Sequence, residues 1–72
     1  MAFDFSKLSG LIVEKFGTRR AFAQALGWTE SKVSTRLNGQ VYFSTDEIAL
    51  WCRVLDIPDD KVTLYFFTPK VR

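Results

Sequence analysis

No histidine occurs in this sequence, and cysteine occurs once, at Cys52. The first absence removes Cys/His zinc sites and the nucleophile–histidine pairs of hydrolases. The second excludes an internal disulfide and fits a reducing compartment. No apolar run approaches the roughly 18 residues of a membrane span, and no signal-peptide pattern opens the chain. The expected location is therefore the cytoplasm, with no membrane partner. There is no glycine-rich phosphate loop carrying a lysine. Asp59 and Asp60 are adjacent carboxylates, but adjacency does not set two acids across a substrate, and a place in the first turn of a helix accounts for them. The chain is expected to be no enzyme and to hold no metal and no cofactor.

What is present points to a small packed domain. Of the 72 residues, 47% are hydrophobic and eleven are aromatic, so the chain has the apolar surface for a core. Repeats, linkers and low-complexity stretches are absent, and residues 1–72 read as one domain. Net charge is only +2, and it is unevenly spread. Residues 1–40 set Lys7, Lys15, Arg19, Arg20, Lys32 and Arg36 against Asp4, Glu14 and Glu30, a net charge of +3. Residues 41–72 set Arg53, Lys61, Lys70 and Arg72 against Asp46, Glu47, Asp56, Asp59 and Asp60, a net charge of −1.

The chain is organised around residues 18–39, TRRAFAQALGWTESKVSTRLNG. Thr18 is a good N-cap, and RRAFAQAL is rich in helix formers. Gly27 follows, where a helix stop needs a residue that tolerates positive φ. Thr29 caps a second helix of about residues 30–38, which Asn38-Gly39 stops. Ala23, four residues before Gly27, is small enough to let a second helix cross close by. Val33 and Leu37 give the second helix one apolar side. Its other side carries Glu30, Ser31, Ser34 and Thr35, flanked by Lys32 and Arg36. Trp28, in the turn, reads as a partly buried wedge.

Three further helices are predicted. The first spans about 6–16, capped by Asp4 or Ser6, with Leu8, Leu11, Ile12 and Phe16 on one stripe. Gly10 inside it costs about 1 kcal/mol relative to alanine and reads as a close approach by another backbone. Phe3 and Phe5 precede it as a cover for the core edge. After Gln40, Val41 and Phe43 read as core. Ser44 and Glu47 then form a capping-box pattern for a helix of about 45–55, with Ile48, Trp51, Cys52 and Leu55 facing inward. Pro58 suits the first position of a short fifth helix. The C-terminal segment 58–72 carries more apolar surface than one short helix hides. Tyr65, Phe66 and Phe67 are consecutive, so at least one is expected to face outward. With Val62, Leu64 and Val71 they form a candidate protein interface, or they fold back over a core too small to close itself.

At these residues the sequence resembles a known family. Ala23, Gly27, Val33 and the closing LNG at 37–39 sit at the spacing of the helix-turn-helix in phage repressor and Cro proteins. The wider string FSKLSGLIVEKFGT…FAQALG…LNG…DEIALW is similar to short lysogeny-switch regulators of Gram-positive temperate phages, of Cro-like or modulator-of-repression type. One position departs from the wider pattern: Arg36 stands where many members carry an apolar residue. The resemblance implies an all-α, compact five-helix, lambda-repressor-like DNA-binding domain working in the bacterial host cell.

On that resemblance the third helix enters the major groove of operator DNA and the second crosses its backbone. Glu30, Ser31, Ser34 and Thr35 are the base-edge candidates. Arg19, Arg20, Lys32, Arg36, Asn38 and Gln40 are the phosphate-backbone candidates. Glu30 is equally suited to the helix dipole, with no role on DNA. The leading expectation is thus a transcriptional regulator bound to double-stranded operator DNA, as a homodimer or in a hetero-complex. The alternative is an antirepressor that binds a cognate phage repressor and alters that repressor's hold on DNA. The weak charge, the acidic Glu30 and the C-terminal aromatics lend that alternative support.

Overall fold

The computed structural model describes residues 3–70, so Val71 of the expected C-terminal patch and Arg72 lie outside the described residues. Five helices follow one another: α1 (Ser6–Phe16), α2 (Arg19–Leu26), α3 (Glu30–Leu37), α4 (Thr45–Leu55) and α5 (Val62–Phe66). A single 3₁₀ turn, Asp59–Lys61, leads into α5. The fold is all-α, and its Cα radius of gyration of 11.3 Å matches the roughly 11 Å of a densely packed chain this long.

Local signals set most helix ends. Thr18 and Thr29 each accept a hydrogen bond at 3.1 Å, from the N–H groups of Ala21 and Lys32. Gly27 adopts the left-handed conformation (φ 76°), its N–H reaching Gln24 O while the Trp28 N–H reaches Ala23 O. That pair of bonds closes α2 as a Schellman motif and turns the chain sharply into α3. The capping box of α4 is complete: Ser44 and Glu47 bond each other's backbone N–H groups at 3.1 Å.

Four details differ from the sequence-based expectation. Phe5 holds the cap position of α1, and Asp4 instead accepts the Ser6 N–H at 2.8 Å. Pro58 precedes a 3₁₀ turn, so α5 starts only at Val62. No backbone approaches Gly10; a Cβ there would meet nothing within 4 Å. Val41 is 43% exposed, because the loop after α3 lifts it off the core.

The core joins all five helices. Leu8 and Ile12 come from α1, Phe22 and Ala23 from α2, Val33 and Leu37 from α3, Trp51 and Leu55 from α4, and Phe66 from α5. Trp51 is its centre. Phe22 and Phe43 stand edge-on to it, each 4.8 Å away between ring centroids, and Trp28 adds a third tilted ring at 5.7 Å. Edge-to-face geometry sets the positive ring edge against a negative face, the favoured aromatic arrangement. Half-buried Cys52 packs against this cluster, and burial, with Asp59 nearby, pushes its thiol pKa up.

Candidate functional site

The α2–α3 pair carries the predicted reading residues on α3, around the buried Val33 and Leu37. Glu30, Ser31 and Lys32 are exposed there, while Ser34, Thr35 and Arg36 are half-buried. Asn38 and Gln40 are exposed just beyond the helix end. Arg20 is exposed and Arg19 half-buried at the start of α2, whose first turn carries no acidic residue.

Two of these side chains are committed within the protein. The Arg36 guanidinium grips Glu47 with both prongs, Nε to Oε1 at 2.9 Å and Nη2 to Oε2 at 2.8 Å. Its Nη1 donates to the Thr35 hydroxyl at 3.3 Å, and its Cζ lies 5.5 Å from the centre of the Trp28 ring. The Thr35 hydroxyl donates in turn to Lys32 O at 2.8 Å. Lys32 places its ammonium 4.2 Å over the same Trp28 ring. The paired side chains of Arg36 and Glu47 are only 11% and 19% exposed. A forked, two-bond pair with this little water is the strong kind of charge-assisted contact.

This geometry gives Arg36 a partner within the protein. It does not stand out as a phosphate contact; it lies back over Trp28 and binds α4. The departure from an apolar residue at this position is thereby explained. A flat guanidinium, satisfied by a carboxylate and stacked on indole, fills the place a hydrophobic side chain would otherwise take. The arginine hydrogen bonds hold the Glu47 carboxyl down to about 2 against the opposing effect of burial, with help from the Ser44 N–H and from the charges of Arg36 and Lys32. The same bonds raise Arg36 above its usual range.

A second feature adjoins the end of α3. The Thr35 carbonyl accepts the N–H groups of Gln40 and Val41 at 3.1 and 3.2 Å, which pins the loop leading to α4. Tyr42 on that loop is 73% exposed and Val41 43%. Across a groove of about 190 Å³ from them stand Phe3 and Phe67. Residues 3–5 and 66–70 bring two distant parts of the sequence to that groove. Phe3 and Pro69 make an isolated antiparallel bridge, the Asp4 N–H donates to Thr68 O at 2.7 Å, and the rings of Phe3 and Phe67 meet edge-on at 5.7 Å.

The consecutive aromatics part company here. Phe66 is 2% exposed and belongs to the core, so its expected place in an interface is corrected. Tyr65 is half-buried against that core, and Phe67 is 42% exposed. A five-residue helix turns one of the three fully inward and leaves its successor outside.

The family described as "Protein of unknown function (DUF739)" matches residues 1–69. The chain belongs to the DUF739 family. Among solved structures, this DUF739 chain is similar to the modulator of repression (MOR) of the temperate bacteriophage TP901-1 from Lactococcus lactis. The two are 42% identical with a TM-score of 0.83, over 100% of this chain and 97% of that one. No curated protein matches the chain.

The likeness is to a regulator from a Gram-positive phage, the class that the sequence string resembles. Sequence reasoning about this DUF739 chain missed Val41, Tyr42 and Phe3 as exposed apolar surface. One signal was available: Val41-Tyr42-Phe43 puts three large apolar residues in a short interhelical loop, and only Phe43 finds the core.

Proposed function

We propose that this chain is a phage lysogeny regulator that binds a partner repressor protein and alters its hold on DNA. Residues 1–72 act as one domain in this reading. The α2–α3 pair serves as a helix-turn-helix scaffold whose outer side meets protein. The observation that carries it is the apolar rim beside α3: Tyr42, Val41, Phe67 and Phe3 are all exposed around one groove. Exposed aromatics around a concave patch supply the anchors of protein interfaces, and tyrosine is prominent among residues that dominate binding energy. The engagement of Arg36 by Glu47 leaves the neighbouring helix poor in groups free to take phosphate. The full-length similarity to a protein named for modulating repression supports the same reading.

A direct DNA contact keeps one supporting observation. Arg19 and Arg20 open α2, where backbone N–H groups favour an anion and the first turn carries no acidic residue. In that second reading, the hetero-complex sits on DNA and these arginines touch phosphate. Sedimentation of the purified chain with its cognate repressor tests the main reading. A new, faster species at micromolar concentrations is expected. Independent sedimentation of both proteins at all concentrations would refute it.

A further inference from the structure

We infer that Glu47 is a specificity residue: by gripping Arg36 it keeps the outer side of α3 from taking DNA. This rests on the protein-binding reading above and names the residue that enforces it.

Lys32 and Arg36 are four residues apart, so they share one stripe of α3, and both lie against Trp28. The amides of Asn38 and Gln40 are exposed just beyond the helix end. Cationic and amide side chains of this kind are the usual material of phosphate contacts. Glu47 comes from another helix and withdraws one of the two cations. It takes two of the guanidinium's prongs, and Thr35 takes a third. The Thr35 hydroxyl, a candidate for reading a base edge, is occupied by the same arrangement. One carboxylate thus silences an arginine, and that arginine in turn holds the Thr35 hydroxyl. The carboxylate does so without losing its own structural role, because the Ser44 N–H still bonds Oε1.

The test uses Glu47→Gln, which keeps the side-chain oxygen of the capping box and removes the charge. Binding to a generic DNA duplex is followed as a function of salt, with a melting curve to confirm the fold. The variant is expected to bind more tightly than the parent at low salt. Its log-affinity against log-salt slope should steepen by roughly 0.9, the value of one added phosphate contact. Asp46→Asn is the control, an exposed neighbour in the same first turn with the same change in net charge. It should leave the slope unchanged, and an equal gain from Asp46→Asn would overturn the inference in favour of bulk charge. The double variant Arg36→Gln/Glu47→Gln should return to the parental slope.

A folded Glu47→Gln protein with unaltered affinity and slope also overturns the inference. A measurement on the parent protein needs no variant to fold. In an NMR titration with duplex at low salt, the Arg36 Nε–H resonance is expected to stay in place; a shift on addition of DNA contradicts the inference. Failure of the wider reading looks different: a parent protein that itself binds duplex with a slope of several contacts removes the protein-only role, whatever Glu47→Gln does.

Discussion

Glu47 accepts two hydrogen bonds from Arg36 and one from the backbone N–H of Ser44, so a single carboxylate joins α3 to the start of α4. The ten residues between the two partners include the whole exposed loop with Tyr42. The pair therefore fixes that loop at both ends, and with it the position of Tyr42 relative to α3.

The Glu47 pKa is held at about 2 in the folded protein, against about 4.3 for a free glutamate. Its folded value is the lower one, so the stabilisation is complete above about pH 5 and is lost as pH falls toward 2. The full shift corresponds to at most about 3 kcal/mol, lessened by screening at a site that still touches water. Chemical denaturation from pH 7 to pH 2 should show the parent losing more stability than Glu47→Gln, with the two curves converging at the acid end. Parallel curves would remove the pair as a source of stability.

Gly10 yields a gain. It lies exposed in the middle of α1, and an added Cβ would meet nothing within 4 Å. Gly10→Ala should stabilise the fold by about 0.8–1 kcal/mol, raising the melting temperature by roughly 4–8 °C. An unchanged or lowered midpoint would point to a neighbour that the structure lacks.

Ala23 tests the packing of α2 on α3. It is 2% exposed between the two helices. Ala23→Leu should overpack that crossing and cost roughly 1–3 kcal/mol by thermal melting. A variant as stable as the parent would mean that the crossing is looser than described.

The C-terminal aromatics should separate by role. Phe66→Ser should destabilise strongly, on the order of the 3–5 kcal/mol seen on truncating core phenylalanines. Phe67→Ser and Tyr42→Ser should leave melting within about 1 kcal/mol, yet weaken association with the repressor. Calorimetry on each folded variant checks both halves. Equal destabilisation by all three would make the groove a core edge and not an interface.

Much of the fold was legible in the sequence because its punctuation is local. Thr18, Gly27, Thr29 and the Ser44–Glu47 box mark helix ends by hydrogen bonds spanning no more than five residues, and α1, α2 and α4 carry the expected bounds. The positions of Arg36 and of the aromatics were not legible, for a different reason. Arg36 has two exits, water or Glu47, and only the packing of α3 on α4 chooses between them. Phe66 and Phe67 are chemically alike; the register of a five-residue helix sends one inward. Phe3 meets Phe67 only because Phe3 bridges to Pro69, a long-range contact with no local signal.

In the proposed function this chain acts on a repressor through protein contact. The most direct measurement is a gel shift of the cognate repressor on its operator, titrated with this chain. The predicted result is a change in the repressor's operator affinity that saturates near stoichiometric addition, and that Tyr42→Ser weakens while the melting curve holds. A repressor–operator band unaffected by excess chain, together with a shift of operator by the chain alone, would contradict the account.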